Sequence, residues 1–125
     1  MSPEQKVFSE IRALCVALFG ASNVYDYLPP ADVEYPFVFV GEQFAQSYRE
    51  HKDGRSKNTQ VTVHVWHNNP RRRGELSSMM GQIETAIVNR FGVNGEDISS
   101  QVIEDNSTSV PLMHGILETE IKFKE

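Results

Sequence analysis

Thr59-Gln-Val-Thr-Val-His-Val-Trp66, followed by Asn69-Pro-Arg-Arg-Arg-Gly74 and then by Leu76, Met79, Met80, Ile83, Ile87 and Phe91, is the stretch that decides the fold. In its first part Val61, Val63 and Val65 alternate with Thr62, His64 and Trp66. A period of two is that of a half-buried strand. After the basic turn the apolar residues recur at three and four, which is the stripe of an amphipathic helix. The reading is a strand, a turn, and a helix from about Arg72 to Arg90, closed by the glycines of Phe91-Gly-Val-Asn-Gly95.

Upstream, residues 43–50 alternate as a strand, and His51-Lys-Asp-Gly-Arg-Ser-Lys-Asn58 forms a charged, mostly basic tip around Asp53-Gly54, a strong turn dipeptide. Residues 43–68 therefore read as a long hairpin. Phe37-Val-Phe-Val40 is a compact apolar run, expected as a separate buried strand, with Gly41 marking a bulge or a close approach. Between Val24 and Pro36 the prolines break regular pairing, leaving an extended connection with a short edge strand at most.

The first helix spans residues 2–19. Ser2 is placed to cap it, Pro3 suits its first turn, Gln5 completes a capping-box spacing, and Gly20 stops it. Val7, Ile11, Leu14, Cys15 and Leu18 line its apolar face. Downstream, Ile98 to Glu104 is a strand, Asp105 to Ser109 a polar loop, and Val110 to Lys124 a long closing strand. In that last strand Leu117, Thr119, Ile121 and Phe123 alternate with Glu118, Glu120, Lys122 and Lys124. The order is α-β-β-β-α-β-β, which predicts an α+β fold: a mostly antiparallel sheet with two helices packed on one face.

The chain has 125 residues, enough for one domain over 1–125, and 39% hydrophobic residues, enough for a core. Its net charge of -5 opposes general binding to nucleic acid, which needs phosphates neutralised. A single cysteine, Cys15, excludes an internal disulfide and a cysteine-based metal site, and reads as a small buried hydrophobe. No apolar run reaches the length of a membrane span, and the polar start Met-Ser-Pro-Glu-Gln-Lys lacks the apolar core of a signal peptide. The expectation is a soluble intracellular protein.

Chemistry-bearing patterns are sparse. His64 and His67 are odd-spaced on one strand and point to opposite faces, so they do not converge on a metal. His51 lies in the hairpin tip and His114 near a proline. No nucleophile elbow, phosphate loop, dinucleotide fingerprint or zinc spacing occurs, so nothing supports an enzyme, a metal or a cofactor. Arg71-Arg72-Arg73 is the sharpest charge feature, because the helix macrodipole does not favour cations at a helix N-terminus. Two readings stand for it: a solvated turn, or a site facing an acidic partner or phosphates. Two also stand for Trp66: a contact on a second layer or interface, or a core position under a loop.

Val24-Tyr-Asp-Tyr-Leu-Pro29, Tyr35-Pro-Phe-Val-Phe-Val-Gly-Glu42, Val61-Thr-Val-His-Val-Trp66 and Ile83-Glu-Thr-Ala-Ile87, in this order, make the chain resemble the tail completion, or tail terminator, proteins of long-tailed bacteriophages and prophages. In that family a Tyr-Pro-Phe-like run opens the first core strand, a Val-x-Val-x-Val-Trp strand follows, and then a helix. The resemblance covers nearly the whole chain and carries no catalytic signature. It implies a structural role without chemistry or cofactor. Such proteins form a ring, typically hexameric, on the head-proximal end of the tail tube. The ring ends tube polymerisation and docks to the head connector. Its implied partners are further copies of itself, the major tail tube protein and the head connector protein. DNA passes through the channel without specific binding, and no membrane is involved. The implied location is the virion tail, after synthesis in the host bacterial cytoplasm.

Within that frame the interface candidates are His51, Lys52, Asp53, Gly54, Arg55 and Lys57 in the hairpin tip and Arg71, Arg72 and Arg73 in the turn, with the 105–109 loop beside them. Another head–tail connector or minor tail component is the alternative in the same class. A small nucleic-acid-binding module using the basic turn and tip is the alternative in another.

Overall fold

In a computed structural model the backbone is described for residues 2–30, 32–51, 54–107 and 109–124, and the side chains of all of these except 42, 44–51, 54–57, 123 and 124. Helix α1 runs Pro3–Phe19, strand β1 Val24–Tyr25, β2 Phe37–His51, β3 Gly54–His67, helix α2 Arg73–Phe91, β4 Ile98–Asp105 and β5 Leu112–Lys124. The strands form one five-stranded sheet in the order β1-β2-β3-β5-β4. All neighbours are antiparallel except β1 and β2, which are parallel. The fold is the expected α+β arrangement with both helices on one face of the sheet.

The order of helices and strands matches the expectation, but the strands are divided differently. The segments 37–40 and 43–50, expected as two strands, are one continuous strand. A bulge between Gly41 and Gln43 absorbs one extra residue without ending the pairing to β3. The remaining place in the order is filled by β1, which pairs only Val24 with Val38 and Tyr25 with Phe39. The closing strand starts at Leu112 rather than Val110.

Local chemistry explains the helix ends. The Ser2 hydroxyl accepts the Gln5 backbone N–H at 3.1 Å and caps α1. The reciprocal half of a capping box is not used, because the Gln5 side chain donates to the Ser9 hydroxyl at 3.2 Å. Gly20 and Gly92, at φ 89 and 66, close the two helices in conformations that only glycine adopts readily. On α1, Val7, Ile11 and Cys15 are buried, whereas Leu18, expected in the same stripe, is exposed.

The core lies between the helices and one face of the sheet. Val61, Val63 and Val65 of β3, Val38 and Val40 of β2 and Leu117 of β5 are fully buried there, under Ile11 and Cys15 of α1 and Leu76, Ile83 and Ile87 of α2. Gly115 faces α2, and a Cβ at that position would collide with the Met80 side chain, so helix and sheet close up here only on glycine. Burial pushes the Cys15 thiol up to about 12, which leaves it protonated and unreactive. Arg90 ties the end of α2 to Glu10 of α1 at 2.8 Å.

Candidate assembly surfaces

The hairpin of β2 and β3 is the longest feature of the sheet. β4 ends its pairing at Ile98 opposite Thr119, so beyond that row the sheet narrows to β2, β3 and β5. β5 accompanies β3 as far as the Ser56–Lys124 pair, and His51 faces Gly54 at the end of the hairpin. At the base of this tongue Gln43 donates to the Thr59 hydroxyl at 2.9 Å and to the Glu4 carbonyl at 2.6 Å, which anchors the bulge to the start of α1. Of the interface residues expected in the tip, His51, Gly54, Arg55 and Lys57 lie on the ends of the two strands, and Lys52 and Asp53 lie outside the described residues.

The basic turn sits at the opposite end of β3. Asn69 Oδ1 accepts the Arg71 N–H at 3.0 Å and starts a short 3-10 turn, Pro70–Arg72, so α2 proper begins one residue later than the periodicity indicated. Arg71, Arg72 and Arg73 are all exposed. Arg72 pairs with Glu75, the acidic residue in the first turn of α2, which offsets one unfavourable charge at the helix N-terminus. Glu75 also meets His67 Nε2 at 3.3 Å, and His67 Nδ1 accepts the Asn69 N–H at 3.1 Å. This buried histidine therefore links the end of β3 to the helix start. Among the described residues, Arg71 and Arg73 enter no ion pair.

The face of the sheet away from the helices carries a feature that sequence spacing did not disclose. Register places Phe37, Trp66, His114 and Ile103 in one row across four strands, and Tyr25, Phe39, His64, Ile116 and Gln101 in the next. The rings of Phe39, His64, His114 and Trp66 lie nearly parallel in sequence, with centroids 5.5, 4.9 and 3.7 Å apart. Within this stack His64 Nδ1 and His114 Nε2 are 2.7 Å apart. Gly41 admits the Phe39 ring, which lies where a Cβ would stand. As expected, His64 and His67 point to opposite faces. The unforeseen partner of His64 is fifty positions away, on β5. Further along this face Glu120 accepts from Asn58 at 2.6 Å, and Lys122 reaches Asp97 at 3.7 Å.

Around the 105–109 loop, Asp105 Oδ1 accepts the Ser107 N–H at 2.9 Å. The Ser107 side chain and backbone together hold the Asp105 carboxyl below its ordinary range, with a smaller contribution from His114. Among the described residues no three His, Cys, Asp or Glu side chains converge as metal ligands, and no helix is long and apolar enough to cross a membrane.

Comparison with known proteins gives one family. The model of the family described as "Tail completion protein gp17" matches residues 8–110. Among solved structures, a chain of a "Virion of native gene transfer agent (GTA) particle" is similar at 13% identity, covering 94% of this chain and 91% of that one, with a TM-score of 0.49. No curated protein matches.

Proposed function

Because this chain belongs to the tail completion protein gp17 family, and so is a structural protein of a phage tail, we propose that it closes the head-proximal end of the tail tube. Copies assemble into a ring, hexameric by the resemblance, which ends tube polymerisation, docks to the head connector and leaves a channel for DNA. The reading requires no cofactor and no chemistry.

The observation that carries the ring is the inequality of the two sheet edges. One edge is β4, eight residues long. The other is β2, which β1 covers at only two positions. A strand edge offers unpaired N–H and C=O groups to another chain. Two unlike edges favour a heterologous, head-to-tail contact, the kind that closes into a ring when the rotation permits. Charge supports the same geometry. The exposed arginines at 71–73 lie at one end of β3, and Glu96, Asp97, Glu118 and Glu120 line a shallow cleft near the opposite side of the sheet. In this reading the arginine turn meets acidic groups of a neighbour, and Lys52, Arg55 and Lys57 of the hairpin tip, with the 105–109 loop, meet the tube or the adjacent subunit.

The decisive experiment is electron microscopy of tails made with and without the protein. Without it, tubes grow past their normal length and fail to join heads; when labelled, it marks the head-proximal end. Tubes of normal length that join heads would overturn the cap, and label at the neck or along the tube would assign the protein to the connector or to a minor tail component. Replacing Lys52, Arg55 and Lys57 by Ala is expected to impair head joining while the protein stays folded by circular dichroism. Charge reversal at Arg71–Arg73 that leaves joining intact would reduce those residues to solvated surface.

A further inference from the structure

We infer that Asn94-Gly95 is a self-modification site: the Asn94 side chain loses ammonia through a cyclic imide with the Gly95 nitrogen, and water opens the ring to aspartate or isoaspartate. The inference goes beyond the ring reading and does not depend on it, because it concerns the single chain.

The step needs a side-chain amide and a following backbone nitrogen that are both unengaged, with room to close a five-membered ring. The chain has seven asparagines, and the structure withholds the nitrogen after six of them. Asn69 precedes Pro70, which has no N–H. The Asn69 N–H, after Asn68, donates to His67 Nδ1 at 3.1 Å, and the Ser107 N–H, after Asn106, donates to Asp105 Oδ1 at 2.9 Å. Arg90, after Asn89, lies within α2, where its N–H belongs to the helix ladder. Thr59, after Asn58, is fully buried in β3 between two paired strands. The Val24 N–H, after Asn23, donates to the Ala21 carbonyl, and Asn23 Nδ2 is itself held by the Phe19 carbonyl at 2.7 Å.

Asn94 and Gly95 are the exception. Both are exposed, between the stop of α2 at Gly92 and the start of β4 at Ile98. Asn94 precedes the 3-10 turn Gly95–Asp97, yet its side chain makes no capping bond. The Asp97 N–H donates to the Asn94 carbonyl at 2.9 Å, which leaves the Gly95 N–H out of the turn, and among the described residues nothing accepts it. Nothing stands within 4 Å of the position a Gly95 Cβ would take, so ring closure meets no neighbour. Base removes the Gly95 amide proton, the nitrogen bonds to Asn94 Cγ, and the Cγ–Nδ2 bond breaks to release ammonia. Water then cleaves one of the two carbonyl–nitrogen bonds of the ring. Cleavage at Cγ leaves aspartate; cleavage at the main-chain carbonyl leaves isoaspartate, with an extra methylene in the backbone. Either product adds one negative charge beside Asp97, Glu120 and Lys122, which share a groove with Asn94. The isoaspartyl form also lengthens the turn that sets Asp97 at 3.7 Å from Lys122.

The purified, folded chain is incubated at mildly alkaline pH and digested in acid, and its peptides are followed by mass spectrometry. The expected result is a deamidation mass gain confined to the peptide that holds Asn94, faster at higher pH and resolved into aspartyl and isoaspartyl forms. The mass gain separates this site from isomerisation at Asp53-Gly54, which leaves the mass unchanged. Gly95→Ala enters open space at an ordinary φ, so the fold persists while the gain at Asn94 slows severalfold. Unfolding in urea frees the Ser107 N–H and is expected to bring Asn106 into the pattern. A folded chain that gains no mass at Asn94 would overturn the inference. So would a rate at Asn106 that is the same in the folded chain and in urea, since the fold would then withhold nothing and would not select the site.

Discussion

The two faces of the sheet are made from the same strands and built on different principles. The face under the helices is aliphatic: Val61, Val63, Val65 and Leu117 have no exposure at all, and α1 and α2 close over them. The other face alternates with it residue by residue, and carries Phe37, Phe39, His64, Trp66, His114 and Ile116, with no helix above them. On the first face, area removed from water by a second layer supplies the stability. On the second, rings shield one another within a single layer, and polar atoms find partners across strands. A face of the first kind is a core; one of the second kind is a surface arranged in advance.

Truncation is the harshest test of that difference. Leu117→Ala, in the fully buried face, is expected to cost about 2–5 kcal/mol, because the removed atoms leave a cavity the helices cannot fill. Ile103→Ala, in the outer row at 44% exposure, is expected to change stability by about 0.5 kcal/mol or less. Urea unfolding of both variants measures the contrast. Equal losses would mean that the outer face is as much a core as the inner one.

A smaller effect, with opposite signs at two glycines, tests how closely α2 is pressed onto the sheet. Gly115→Ala places a methyl group against the buried Met80 side chain, and overpacking of this kind costs about 1–3 kcal/mol. Gly81, exposed on α2, has nothing within 4 Å of the position a Cβ would occupy. There the same substitution is expected to stabilise the protein by about 0.5–1 kcal/mol, through helix propensity alone. Thermal or urea unfolding would show whether the signs differ. Two losses would place the tight contact somewhere other than Gly115.

These expectations also mark what could be read before the structure was known. The covered face was legible because its signal is local: three valines at a period of two, and Leu76, Met79, Met80, Ile83 and Ile87 at a period of 3.6. The Ser2-Pro3 start and the Gly20 and Gly92 stops were legible for the same reason. What depends on pairing between distant strands was not. A bulge or close approach was legible at Gly41, but residues 37–40 and 43–50 read as two strands, because only β3 reveals that pairing resumes at Gln43. Leu18 fits the spacing of the α1 stripe, yet it stays exposed, in an open groove beside Ser78, Gln82 and Thr85 of α2. The His64–His114 contact depends on the register that sets Trp66 opposite His114, which no spacing within either strand encodes. The hairpin tip is the reverse case: its turn dipeptide was plain in the sequence, whereas Lys52 and Asp53 lie outside the described residues.

The smallest expected effect concerns the rim of the open face, and its sign follows from Asp105. Hydrogen bonds from the Ser107 side chain and backbone lower this carboxyl below its ordinary 3.8, and His114 adds a weaker pull in the same direction. A group depressed in the folded state contributes stability above its unfolded value and loses it as pH falls through the folded one. The contribution is therefore complete at neutral pH and is lost only as pH falls below about 3.8. The Ser107 amide shift should titrate with a midpoint under 3.8, and Asp105→Asn should abolish that titration while leaving the unfolding curve near pH 7 almost unchanged. A midpoint at or above 3.8 would mean that Ser107 does not hold the carboxylate. A large loss of stability at neutral pH would mean that this rim is tied into the core, and the contrast between the two faces would then fail at the edge where β4 meets the open side.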